Sequence, residues 1–216
     1  MPRVKDRLGW LLLLCLLPLA ACGAPSMEER LTQARLSLAQ VNTLKDHPTP
    51  EQMKAAKGVA LLSIVQAGVG IGGEGGGGVV LQRNGSTWGS PYAVDLGAGT
   101  IGLQIGGQGK DVLLIFNSED AMLDFCDGGM QLHALGEGTF GASTGNTNAQ
   151  KRSTLVFLKG QGVFGGLELG ALNVGPANDV NSATYGGNTD RAAILSGKTK
   201  PPEGLSRLTR MLDAMD

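Results

Sequence analysis

The chain has 216 residues, 35 of them glycine, and its 18 Lys+Arg against 19 Asp+Glu give a formal charge of −1. That balance excludes the basic footprint of a nucleic-acid binder. Three cysteines are too few for a disulfide scaffold, and the length suits one domain with a sizeable core.

Arg3, Lys5 and Arg7 form a basic n-region, and Leu8 to Leu19 is a short apolar run ending in small residues. This pattern predicts a secretory signal, too short and wrongly flanked for a spanning helix. Leu19-Ala20-Ala21-Cys22 resembles a bacterial lipobox, in which cleavage falls before the cysteine and the cysteine carries the lipid. The expected organisation is a signal peptide at 1–21, lipidated Cys22 with a short tether at 22–26, and a single domain at 27–216. Removing 1–21 takes three of the 18 basic and one of the 19 acidic residues, leaving a formal charge of −3. Cys15 leaves with the signal, so Cys126 has no partner for an intramolecular disulfide. Each buried acyl CH₂ contributes about 0.8 kcal/mol, so three chains on Cys22 would settle membrane residence alone. The expected location is the periplasmic side of a bacterial membrane. Gly23 lacks the aspartate that signals inner-membrane retention in one sorting scheme, which favours the outer membrane.

Met27, Leu31, Ala34, Leu38, Val41 and Leu44 recur at helical spacing and predict an amphipathic helix over 27–46. Its stripe suits packing on its own domain, the alternative being a helix lying on lipid headgroups. A short helix is expected over 51–57, then a buried strand over 59–65. Eight of the eleven residues from Gly68 to Gly78 are glycine, and the first of them alternate with Val69 and Ile71. Glycine at period two gives a strand with one bare face, suited to a bend or close backbone approach. Val79 to Arg83 continues as a strand, Asn84-Gly85 predicts a type I′ hairpin, and Thr87 to Val94 returns. Further strands are expected over 97–106, 112–116, 130–142, 154–159 and 162–173, with a helix from Ser118 through Asp127 between the second and third. A polar loop is expected over 144–153 and a polar excursion over 175–187. Helices around 189–195 and after Pro201-Pro202 close the chain. Strands joined mostly by turns predict an α+β fold: a strongly curled antiparallel sheet or small barrel, with helices at both ends and one mid-chain.

Chemistry-bearing motifs are weak. G-x-G-x-x-G occurs six times, including Gly70/Gly72/Gly75, so glycine abundance generates it. A strand follows Gly78 where pyrophosphate binding needs a helix N-terminus. Gly141-Ala142-Ser143-Thr144-Gly145 fits a nucleophile elbow, but a polar loop follows and no histidine occurs beyond His133. Asp120, Asp124 and Asp127 share a helical face with no second ligand set. Cys126 adjoins Phe125 and Met122, the setting of a buried inert thiol. No enzyme, metal or cofactor is expected.

The order of blocks is more specific than any motif. Ala56 to Leu62, Gln66-Ala67-Gly68, Gly76 to Arg83, and Thr87-Trp88-Gly89-Ser90-Pro91 resemble the opening of the SYLF domain. Gly102 to Gly106, Asp111 to Asn117, Gly162 to Leu169, Tyr185-Gly186 and Ile194 to Gly197 resemble its later blocks. The resemblance runs over roughly 40–215. It implies a lipid-binding module, which in eukaryotic endocytic adaptors binds phosphoinositides and in some members actin. Lys54 and Lys57 match basic positions at the module's start, which implies headgroup contact there. Glu28 and Glu29 give the first helix a mixed charge where eukaryotic members carry a basic segment. The expectation is a non-catalytic lipoprotein binding acidic phospholipid, the alternative a structural or protein-interaction module at the envelope. Membrane phospholipids and an envelope protein are the expected partners. Actin is not, and neither is nucleic acid.

Overall fold

The computed structural model describes residues 24–128, 130–131, 134–135, 138–144, 154–162, 168–169, 173–187 and 190–216. Helix α1 (Met27–Val41) begins at Ser26, whose hydroxyl accepts from the Glu29 N–H while the Glu29 carboxylate accepts from the Ser26 N–H. That reciprocal cap satisfies two otherwise orphaned donors. Helix α2 (Pro50–Ala55) repeats the device with Thr49 and Gln52. Residues 1–23, which hold the expected signal peptide and Cys22, lie outside the described residues.

The strands are β1 (Gly58–Asn84), β2 (Thr87–Trp88), β3 (Tyr92–Phe116), β4 (Met130–Gln131), β5 (Ala134–Leu135), β6 (Gly138–Thr144), β7 (Thr154–Gly162), β8 (Glu168–Leu169) and β9 (Asn173–Pro176). Helix α3 (Glu119–Cys126) lies between β3 and β4, capped by Ser118, and α4 (Asn178–Tyr185), α5 (Arg191–Leu195) and α6 (Leu205–Asp213) follow β9. The main sheet is antiparallel in the order β2-β1-β3-β7-β6-β4. β9 pairs the first part of β3 and β7 its last part. β5 and β8 pair separately.

The glycine stretch is thus the middle of one strand of 27 residues, where several short strands were expected. At about 3.3 Å per residue such a strand would be about 90 Å long if straight. It bends instead, because the Arg83 N–H donates to the Lys57 carbonyl at 2.9 Å. The β1–β3 register shifts between Val69 and Ile71, inside the glycine stretch. A Cβ built on Gly76 would stand 2.1 Å from the Ser63 carbonyl oxygen, and one on Gly78 would stand 2.0 Å from that of Leu61. Only bare backbone permits that approach.

The expected barrel or strongly curled sheet is corrected. The strand path has two separate ends at β2 and β4, so the sheet stays open. It does not need closing, because helices cover both faces. Along β1, Ala60, Leu62 and Ile64 pack with Phe125 of α3 and Leu195 of α5, while Val59 and Leu61 pack with Leu31 and Leu38 of α1 and Leu208 of α6. Val112 to Phe116 divides between the two faces in the same way. Burial on both faces is why these strands read as unbroken apolar runs.

Three local expectations also change. The hairpin after β1 is not type I′: Asn84 pairs Thr87, so Gly85-Ser86 is the loop. Gly85 has φ +66°, and no described non-glycine residue has positive φ, whereas type I′ needs two such residues. The polar excursion over 175–187 contains a helix, α4. The strand expected over 130–142 shows, among the described residues, as β4, β5 and β6, and β4 pairs with β6 instead of continuing into it. The loop expected over 144–153 lies, beyond Thr144, outside the described residues.

Candidate binding surface

Lys54 and Lys57 lie together where α2 hands over to β1, and both are exposed. Lys54 occupies the last turn of α2, where a cation complements the helix dipole. Lys57 is fixed by its backbone: its N–H donates to the Phe116 carbonyl at 2.7 Å, and its own carbonyl accepts from Arg83. Among the described residues neither ammonium has a hydrogen bond or ion pair. Glu51, one turn before Lys54, has its carboxyl held below the usual carboxylate range. Backbone N–H at the helix start is the main cause, then the Thr49 hydroxyl, with Lys54 a smaller contributor.

Arg83 is the third cation at this end. Its Nη1 and Nη2 donate to the two carboxylate oxygens of Asp216 at 3.0 and 2.8 Å, and Nη2 also reaches the Met53 carbonyl at 3.3 Å. Its guanidinium lies 4.2 Å from the centroid of the Trp88 ring, and the Trp88 indole N–H donates to Asp213 at 2.9 Å. Arg83 is therefore neutralised and stacked, whereas Lys54 and Lys57 are exposed and make no hydrogen bond or ion pair among the described residues. A cleft of about 600 Å³ opens beside Trp88, bordered by Pro201, Pro202, Leu205 and Thr209. Sequence reading passed over the Arg83–Trp88 stack, although the two are register partners across the hairpin.

The stripe of α1 is core, with Met27, Leu31, Ala34, Leu38 and Val41 all buried. Fifteen residues of helix separate the start of α1 from its end, about 22 Å at 1.5 Å per residue.

Among the described residues no group of three or more His, Cys, Asp and Glu is arranged to hold a metal, and no helix is long and apolar enough to cross a membrane. Asp127 pairs with Arg191. Ser143 lies within β6, paired with Gln131, and the residues after Thr144 that would form the turn of a nucleophile elbow lie outside the described ones. His133 lies outside the described residues.

What is in place is an open antiparallel sheet covered by helices, with two exposed lysines and a stacked arginine at one end. The family described as Ysc84, "Las17-binding protein actin regulator", matches residues 97–215, and the chain belongs to this Ysc84 or SYLF family. It is 28% identical to "LAS seventeen-binding protein 3" of Saccharomyces cerevisiae over 76% of this chain and 38% of the relative. It is 30% identical to "SH3 domain-containing YSC84-like protein 1" of Xenopus laevis over 76% of this chain and 52% of the relative. The human protein of that name is 29% identical over 74% of this chain and 48% of its own. The chain therefore spans about half or less of these relatives. No solved structure matches it. The family description names actin regulation, so the expectation that actin is no partner gains no support.

Proposed function

We propose that this protein is a non-catalytic module, anchored through lipidated Cys22 in the outer membrane facing the periplasm, whose SYLF domain binds acidic phospholipid. The observation that carries the headgroup contact is the exposed Lys54–Lys57 pair. Neither ammonium has a hydrogen bond or ion pair among the described residues, and Lys57 is held by two backbone hydrogen bonds. Exposed ammonium groups at a rigid edge suit an anionic surface, where each contributes about 1 kcal/mol. The test is co-sedimentation of the chain from Ala24 onward with phosphatidylglycerol vesicles and with phosphatidylcholine vesicles. Pelleting with the anionic vesicles alone is expected, weakening by more than about tenfold in the Lys54→Glu/Lys57→Glu variant and in high salt. No pelleting in low salt overturns the reading.

The second reading is a protein-interaction module. The cleft beside Trp88 and the Pro201-Pro202 turn favours it, as do relatives named for binding Las17. It predicts capture of a partner by the lipid-free domain, unaffected by the lysine reversals.

A further inference from the structure

A second cleft, of about 770 Å³, lies between the start of α1 and β1. Its volume falls within the range of sites that enclose a small ligand. Pro25, Ala34, Leu61, Val65 and Leu96 give it an apolar lining, and Gly76 to Gly78 present it with bare backbone. Val65 is 58% exposed, one of two large hydrophobic residues among those described that remain so open. The other, Leu36, does not line the cleft.

The one arginine that borders the cleft is already engaged by the protein. Arg30 donates from Nη1 to the Val94 carbonyl at 2.7 Å, from Nη2 to Asp95 at 2.6 Å and from Nε to the Pro25 carbonyl at 3.1 Å. An occupant therefore meets mainly hydrocarbon and glycine backbone, with the Glu29 and Asp95 carboxylates also bordering the cleft. The bond to Pro25 does something further: it pins the tether to the rim of the cleft. Ala24 and Pro25 both line it, and Cys22 is only two residues before Ala24, at most about 7 Å of extended chain.

We propose that this cleft holds one acyl chain of the lipid carried by Cys22. The inference rests on the lipid-anchor reading above and adds an intramolecular seat for part of the anchor. Arg30 acts as a positioning residue, aiming the tether so that a chain on the Cys22 sulfur enters beside Val65. The seat shields that chain from water while the remaining chains engage the bilayer, and it draws the domain down toward the membrane.

The test uses the full chain, expressed in a bacterial host supplied with labelled palmitate, with p-benzoyl-phenylalanine placed at position 65 or, as control, at position 36. Both positions are exposed, so the probe does not disturb the core. Label on Cys22 and a photo-adduct joining position 65 to the acyl chain of the same molecule's Cys22 are the expected results, read by mass spectrometry, with at least fivefold less adduct from position 36. Gln33→Trp, which crowds the cleft from an exposed helix position, should cut the adduct from position 65 at least fivefold. Labelled Cys22 with no adduct at position 65, or equal adducts at 65 and 36, overturns the proposal and leaves the lipid anchor standing. No label on Cys22 overturns both.

Discussion

Lys110 and Glu74 form an ion pair sealed inside the protein, their side chains 0% and 1% exposed. They are not register partners: Lys110 of β3 lies opposite Ile64, and Glu74 of β1 lies opposite Ala98. The pair therefore joins distant parts of the β1–β3 ribbon across the bend. Removing Lys110 leaves the Glu74 carboxylate in the interior without its cation. Lys110→Met alone should cost about 3–5 kcal/mol, whereas Glu74→Leu with Lys110→Met should cost far less than the Glu74→Leu and Lys110→Met singles added together. Urea unfolding of the four proteins measures the coupling. Additive losses would show that the pair does not act as a unit.

The bare face of β1 leads to a second expectation. A methyl at Gly76 or Gly78 would meet the carbonyl of Ser63 or Leu61 at about half the distance that contact allows, and backbone cannot step aside cheaply. Gly76→Val and Gly78→Val should each destabilise by more than about 3 kcal/mol, enough to prevent accumulation of folded protein in a marginal host. Gly97→Ala, where a Cβ meets nothing within 4 Å, is the matched control and should fold.

These cases show what was legible in the residues. The apolar runs 59–62 and 112–116 announced themselves because each is buried on both faces, whereas Val65, at the end of the stretch expected to be buried, is open. The glycine stretch announced close backbone approach but hid the length of its strand, since glycine erases the alternation that marks one. The hairpin was displaced by one residue because Asn84-Gly85 is a strong type I′ signal that the register overrides. At the binding edge, family resemblance pointed to Lys54 and Lys57. The Arg83–Asp216 contact, 133 residues apart in sequence, leaves no local mark.

Helix α4 was missed for a physical reason that also yields a prediction. Its buried side chains are Val180 and Asn181 alone, too few for a periodic signal. Asn181 is polar because of its partner: its Oδ1 accepts from the Ala93 N–H and its Nδ2 donates to the Ala93 carbonyl, both at 2.9 Å and both buried. Asn181→Leu keeps a similar volume but strands a backbone N–H. A loss of about 2–3 kcal/mol is expected, measured as a shift in the urea midpoint. A neutral result would show that another group satisfies Ala93.

Cys126 sets the alkaline limit of the fold. Burial pushes its thiol from the ordinary 9.0 up to about 12, partly opposed by Arg191 and reinforced by Asp127. Above pH 9 the unfolded chain releases this proton while the folded protein keeps it, so the unfolded state binds fewer protons and stability must fall as pH rises. The slope approaches about 1.4 kcal/mol per pH unit and persists toward pH 12. Tyr185, also raised by burial, donates its hydroxyl to the Pro91 carbonyl and adds to the decline above pH 10. Urea midpoints at pH 8, 9, 10 and 10.5 should drop progressively in the native sequence. In Cys126→Ala the protein should start weaker by about 1–2 kcal/mol, from the lost packing, and hold its midpoint better between pH 9 and 10. Thiol titration at pH 8 gives an independent check, because a protonated, buried sulfur reacts only through unfolding. Cys126 should therefore react at least a hundredfold more slowly in buffer than in denaturant, and equal rates would mean that the thiol is open to solvent.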